Sequence, residues 1–192
     1  SWYTSDRIWQ DSDEYTFNAT SGLIDRYLSL ITHDHQYWSQ RLHLAFDGTL
    51  GGLHNRLTFG AEVGGTDFFT KRRFGTAASA NPYSPVRGTF PADSPANFGT
   101  RQDVTADVKS KAVFAEDALN LTPDWLLVAG IRFDDFKLDR SILSVTPGTT
   151  AAYGNDYNAT SWRAGTVYSV TPRTQLFAQY TQSVRPIPME FG

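Results

Sequence analysis

Along much of this chain every second residue is apolar, and the residues between are polar or small. Leu127, Ala129 and Ile131 share one phase while Gly130, Arg132 and Asp134 fall in the other; Leu176, Ala178 and Tyr180 alternate in the same way with Gln179, Thr181 and Ser183. A period of two puts one set on each side of an extended strand. The two stretches also repeat one pattern. Superposed on Thr122-Pro123 and Thr171-Pro172, they match Leu127 with Leu176, Ala129 with Ala178 and Ile131 with Tyr180.

The same period predicts a strand over residues 35–47, with Trp38, Leu42, Leu44 and Phe46 against Ser39, Arg41, His43 and Ala45. Residues 55–69 follow, with Leu57, Phe59, Ala61 and Val63 opposite Thr58, Gly60, Glu62 and Gly64. Further strands are predicted over 125–138, 158–170 and 174–185, and a hairpin over 15–20 and 24–31 turns at Ser21-Gly22. Residues 109–121 read as a strand whose facing stays open, because Val113 and Ala115 compete with Ala112 and Phe114. In all, about seven or eight strands of roughly 10 to 15 residues are expected.

The connections sort into two kinds. Residues 48–54, 122–124 and 171–173 are short turns, whereas 70–107, rich in proline, and 141–157 read as long loops. Consecutive antiparallel strands alternate direction, so the short turns collect at one rim and the long loops at the other, as in outer-membrane barrels. Trp38, Trp125, Trp162, Tyr168 and Tyr180 lie near apolar strand ends, where an aromatic girdle would sit. The fold class is therefore all-β: an antiparallel transmembrane β-barrel, either the smallest closed one or a segment of a larger one.

Composition narrows this further. The 192 residues carry 17 Lys+Arg against 20 Asp+Glu, a formal charge of -3, which provides no concentrated cationic face for nucleic acid. No apolar run approaches the ~20 residues of a spanning helix. A barrel survives this test, because only alternate wall residues meet lipid. The absence of cysteine identifies no compartment. No leader opens the chain at Ser1-Trp2-Tyr3, and it is read as an internal piece.

Residues 112–134, AVFAEDALNLTPDWLLVAGIRFD, resemble the strand-turn-strand unit of TonB-dependent siderophore receptors. In that family a Tyr/Phe-Ala-Gln/Glu-Asp strand, a short turn with Trp and a Leu-x-x-Gly-x-Arg-Tyr/Phe-Asp strand follow one another. Arg163-Ala164-Gly165-x-Val167-Tyr168, the stretch from Leu176 to Pro186, and Asn55-x-Leu57-x-Phe59-Gly60-x-Glu62 are similar to other units of it. The resemblance implies that residues 1–192 are part of a larger barrel of 22 strands, without the N-terminal plug. It implies partners too: a ferric siderophore, outer-membrane lipid, and TonB through the missing plug region. Location in the outer membrane of a Gram-negative bacterium follows, with no cofactor beyond the iron carried in the chelate. On the residues alone two alternatives stay open: a complete small barrel serving as an adhesin or structural protein, or a soluble β-sandwich binding module.

Candidate chemistry is sparse. Two imidazoles share a strand face in His33-Asp34-His35, which lacks a third ligand for a metal. Ser39, His43 and Asp47 lie about 13 Å apart end to end on one strand, too far for a triad. Glu116-Asp117 and Asp134-Asp135 are adjacent pairs that point to opposite faces. No enzyme is expected. Arg41, Arg132, Arg163 and Arg185 fall in inward registers, where they could attract an anionic chelate or pair with Glu62 and Asp134. Tyr83, Arg87, Phe90 and Phe98 in the proline-rich loop are the expected ligand contacts there. Lys71-Arg72-Arg73 reads as a solvated strand end, and the sequons at Asn18 and Asn158 carry no weight.

Overall fold

The computed structural model describes residues 1–86, 88–145 and 147–184, the side chains of residues 13–15 excepted. Seven strands succeed one another: β1 (Trp2–Asn18), β2 (Leu23–Leu50), β3 (Leu53–Ala80), β4 (Thr100–Thr122), β5 (Trp125–Ser144), β6 (Thr149–Thr171) and β7 (Thr174–Gln182). Each pairs antiparallel with the next, so sheet order equals chain order. The sheet is open, with β1 and β7 at its two edges and no pairing between them among the described residues. Among the described residues the sheet neither closes on itself nor packs against a second sheet, unlike a closed small barrel or a two-sheet sandwich.

A single layer has little interior. Its accessible surface is 13189 Å² for 21.4 kDa, against about 9,100 Å² expected of a globular chain of that mass. The alternation along β5 shows which face is which: Ala129, Ile131, Phe133 and Asp135 are exposed, while Gly130, Arg132, Asp134 and Phe136 are half-buried on the concave side. Register then carries the assignment across the sheet, because directly opposed residues share a face. Leu44, Phe59, Ala115, Ile131 and Trp162 form one outward row, and Phe46, Leu57, Asp117, Ala129, Ala164 and Tyr180 another, with the Asp117 carboxylate accepting a hydrogen bond from the Asn55 amide.

This settles the facing of β4. Val113 and Ala115 point outward beside Ala61 and Phe59, while Ala112 and Phe114 point inward beside Glu62 and Gly60. On the outer face the apolar rows span residues 42–50 of β2, close to the nine to eleven or so residues a tilted strand needs to cross the hydrocarbon. Leu42 is 73% exposed and Leu176 62%, an apolar area far beyond what a water-facing surface carries. At the short-turn rim Trp125 and Tyr168 are directly opposed, their rings 6.4 Å apart.

The strands run well beyond this band. Both β2 and β3 have 28 residues, about 90 Å at the usual rise. The segments expected at 24–31 and 35–47 are therefore one strand, and the first hairpin begins at Trp2 rather than residue 15. The loop expected over 70–107 shrinks to residues 81–99, because β3 continues to Ala80 and β4 starts at Thr100. Likewise the loop expected over 141–157 is the tip of a hairpin between Ser144 and Thr149. Outside the membrane both faces of a strand are wet, so backbone pairing continues after the apolar alternation has stopped. The short turns do share one rim: Gly51 and Gly52, both at positive φ, Pro123-Asp124, and Pro172-Arg173. The opposite rim has one long loop and two short hairpin ends. In the first of these the Asn18 side chain accepts hydrogen bonds from the Thr20 and Ser21 amides, a turn role for that sequon.

Candidate ligand wall of the lumen

Within the band, the concave face carries a ladder of paired charges. Glu62 on β3 sits 3.8 Å from Arg41 on β2 and 3.3 Å from Arg132 on β5, and Arg132 also closes on Asp134 at 2.8 Å. Arg41 lies 4.3 Å above the Phe114 ring, and Arg163 pairs with Glu116. Of the four arginines singled out in the sequence, the three among the described residues, Arg41, Arg132 and Arg163, all point inward, and each is engaged by a carboxylate of the same wall. Glu116 and Asp134 therefore serve the ladder, while their neighbours Asp117 and Asp135 face outward. Asp47 pairs with His54 and Arg56.

Above the band, towards the loop-bearing rim, the inward positions of β1, β2 and β3 change character. His33 packs edge-on against Trp9, with centroids 4.8 Å apart, and against Phe68 at 5.2 Å. His35 meets Phe68 and Tyr3. Further out Tyr27 stacks on Phe74 at 5.9 Å, and the Arg72 guanidinium lies 5.6 Å over the same ring. Arg7 is directly opposite His33. Burial, then the charges of Arg7 and Arg72, then His35 hold the His33 imidazole below its ordinary range. The result is a lumen-facing wall of aromatic faces with arginine cations among them. The two imidazoles of His33-Asp34-His35 do share a face, and aromatic rings surround them.

This wall is what sequence reasoning missed. Its members lie on three strands and meet only through register. The one local signal was the pair of same-face histidines.

The long loop takes a different position from the lumen. Phe98 is fully buried and joins Leu28 and Leu30 in a small core with Phe90 and Ala77. Leu28 and Leu30 share the face of Leu42 and Leu44, so the loop lies against the outside of the extended sheet. An ion cluster pins it there: Arg73 reaches Asp93 at 3.0 Å and Asp103 at 2.7 Å, and Arg101 reaches Asp93 at 3.1 Å. Phe90 and Phe98, expected as ligand contacts, lie in this core, Phe98 wholly buried and Phe90 partly. Tyr83 remains 94% exposed. Arg87 and Arg185 lie outside the described residues.

Comparison with known proteins agrees with this geometry. A family model described as "TonB dependent receptor-like, beta-barrel" matches residues 1–191. The "Probable TonB-dependent siderophore receptor PiuA" of Acinetobacter baumannii is 24% identical over 206 residues, covering 98% of this chain and 28% of that protein. Its crystal structure superposes with a TM-score of 0.71 at 20% identity over 97% of this chain and 29% of that one. The open form of the ferric-catecholate import receptor Fiu from E. coli K12 gives 0.66 at 18% identity, over 96% of this chain and 31% of that one. The chain spans less than a third of the length of these relatives.

Proposed function

The chain belongs to the TonB dependent receptor-like β-barrel family, and from that membership we propose that it is a sector of the outer-membrane wall of a longer receptor that takes up ferric siderophores. One observation carries this reading: a face that is oily for the width of a membrane is backed by a face of paired charges, and that inner face opens into the aromatic and cationic wall of Trp9, Tyr27, His33, Phe68, Arg72 and Phe74. A ferric siderophore is a bulky, often anionic chelate whose iron is already wrapped. Recognition then calls for cations and stacking surfaces rather than metal ligands, since a few aromatic and arginine anchors carry most of the energy of such contacts.

Capture occurs first at the wall above the band, with the exposed Tyr83 of the loop as a further contact. Arg41, Arg132 and Arg163 line the path below. Their charges are already balanced by Glu62, Asp134 and Glu116, so they guide a passing anion without trapping it. Energy for release inward comes from TonB through a plug that belongs to the longer protein. The PiuA name and the Fiu title speak of a siderophore and of ferric catecholate import for those two proteins, and a wall rich in aromatic rings suits a chelate that has rings of its own.

The test is equilibrium binding to the full-length receptor in detergent, read by quenching of tryptophan fluorescence with ferric catecholate and ferric hydroxamate chelates. The double variant Trp9→Ala/Arg72→Ala weakens binding of the preferred chelate by at least about tenfold, roughly 1.4 kcal/mol, while Tyr168→Ala, on the outer face of β6 at the short-turn rim, leaves it unchanged. Equal affinities in all three proteins would remove the wall from the ligand site.

A further inference from the structure

The inner face changes its charge balance above the band. In the ladder every arginine has a carboxylate beside it. Higher up, successive inward rows cross the sheet from β1 to β6 through Tyr37, His35, His33 and Ile31 of β2, and register places Arg140 in the second of them, Arg7 in the third and Arg72 in the fourth. Among the described residues, none of these rows holds a carboxylate. The nearest inward acid on β1 is Asp11, four positions beyond Arg7, about 13 Å along the strand. On β3 it is Glu62, eight positions from Thr70 and already engaged in the ladder. Two imidazoles therefore stand at the centre of a basin whose fixed charges are all positive.

His33 is the more enclosed of the two. The rings of Trp9 and Phe68 close on it at 4.8 and 5.2 Å. Arg7 faces it from β1, Arg72 and the uncharged Thr70 and Phe68 from β3, and His35 from its own strand. Arg7 and Arg72 flank the imidazole from either side, two strand spacings or about 10 Å apart at the backbone. Burial and these cations keep the ring neutral at pH 7. An anion seated over the two guanidiniums reverses the local field, and the charged imidazole becomes the favoured form.

We propose that capture of an anionic chelate at this wall is proton-linked: as the chelate settles between Arg7 and Arg72, His33 takes a proton from the medium and becomes a third cation against it. The inference deepens the uptake reading and rests on it. Coupling between two ligands is reciprocal, so a chelate that strengthens proton binding is itself bound more tightly where protons are abundant. Affinity is flat above about pH 7.5, rises as pH falls through the value of the occupied site, and levels off below that of the empty site, which lies under 6.5. Each unit by which the anion raises His33 multiplies the affinity by about ten.

The experiment is isothermal titration calorimetry of the full-length receptor in detergent with a ferric tris-catecholate, at about pH 7.5 and about pH 6. The quantity read is the affinity at the lower pH divided by that at the higher, compared between wild type and His33→Asn, which cancels any protonation of the chelate itself. Wild type exceeds the variant in this ratio by about threefold or more. His33→Lys, charged at both pH values, shows no larger ratio than His33→Asn yet binds more tightly than it at the higher pH. Heats measured in buffers of different ionisation enthalpy give a second reading, with wild type taking up more proton per chelate at the lower pH than His33→Asn. Equal ratios and equal proton uptake in wild type and His33→Asn overturn the proposal. The Trp9→Ala/Arg72→Ala comparison at the higher pH does not depend on the His33 proton. Its loss of affinity alongside equal ratios removes the proton link alone, and absence of that loss removes the uptake site with it.

Discussion

Arg73 on β3 and Asp93 in the following loop meet at 3.0 Å on the outer face of the sheet, the guanidinium almost wholly covered. The contact has a mechanical consequence. The loop is fastened outside the wall, so the inward rings of Trp9, His33 and Phe68 are left facing the lumen. Arg73 also donates to the Gln102 carbonyl at 2.7 Å, which ties the loop to the start of β4.

Removing the Asp93 carboxylate leaves a buried cation with Asp103 as its remaining ionic partner, and the unmet portion costs about 1–3 kcal/mol. For Asp93→Ala, hydrogen exchange of residues 88–99 accelerates by roughly tenfold or more while the amides of β3 within the band are unaffected. The pH dependence has a definite sign. Burial pushes the Asp93 carboxyl up, yet Arg73 and Arg101 together hold it below the ordinary carboxylate range. A depressed folded-state pKa contributes stability that is present above the ordinary value of about 4 and is lost as pH falls through the folded value. Loop protection is therefore flat from neutrality down to about pH 5 and declines only below about pH 4.

The same loop is fitted to a missing side chain. A Cβ on Gly75 would run into the backbone carbonyl of Asn97 and press on Phe98. Gly75→Ala lifts the loop off the sheet, and Phe98→Ala empties its small core, a truncation that costs about 3–5 kcal/mol in a fully packed site and locally less here. Limited proteolysis at residues 81–99 detects both. Tyr83→Ala, at the exposed end of the loop, stays within about 0.5 kcal/mol of wild type.

How much of this could be read from the chain depends on what each face touches. Leu127, Ala129, Ile131 and Phe133 announce their strand because lipid lies on one side and the lumen on the other. The run Lys71-Arg72-Arg73 reads as a solvated strand end, yet it is paired strand that continues to Ala80 with Arg73 buried, because the loop that covers its outer side is distant in sequence. The arginine ladder was largely legible: inward phase and pairing with Glu62 and Asp134 were read from the sequence, while Glu62 reaching Arg132 with β4 between them is supplied by the sheet. Phe98 against Leu28 and Trp9 against His33 are contacts across dozens of residues with no local periodicity to betray them.

His33 is a natural reporter of the lumen wall. It faces Arg7 from β1 and Thr70, Phe68 and Arg72 from β3, with His35 on its own strand. Held below 6.5, it is neutral at pH 7. Because the fold prefers the neutral form, its contribution to stability is present above about 6.5 and is lost as pH falls through the lower folded value. Protonated imidazole quenches a neighbouring indole, so part of the Trp9 fluorescence titrates with a midpoint below 6.5. Arg7→Gln moves the midpoint up by removing a nearby cation, and His33→Asn abolishes the transition. A midpoint at or above 6.5 in the wild type would contradict the packing described.

In the ladder, Arg132 is the shared member. Its removal strands Asp134, only 10% exposed, and leaves Glu62 with the long Arg41 contact alone, so Arg132→Ala costs about 1–3 kcal/mol. Arg41→Ala costs less, because its 3.8 Å contact with Glu62 is long and the arginine is more than half exposed. A double-mutant cycle of Arg132 and Glu62 in detergent-solubilised full-length receptor gives a positive coupling, whereas Arg163 and Glu62 are additive.

The facing assignment itself can be tested with one charge placed on either side of the wall. Ile131 lies outward in mid-band, in the row of Leu44, Phe59 and Ala115, while Thr58 lies inward, opposite Ala45 and Glu116. Ile131→Arg exposes a guanidinium to hydrocarbon and costs about 2–4 kcal/mol. Thr58→Arg places the same group in a polar lumen directly opposite Glu116, where it is tolerated within about 1 kcal/mol. The readouts are urea unfolding of the full-length receptor in lipid vesicles and the folded fraction seen as heat-modifiable migration. A larger loss for Thr58→Arg than for Ile131→Arg would exchange the two faces, and with them the lumen wall and the lipid band.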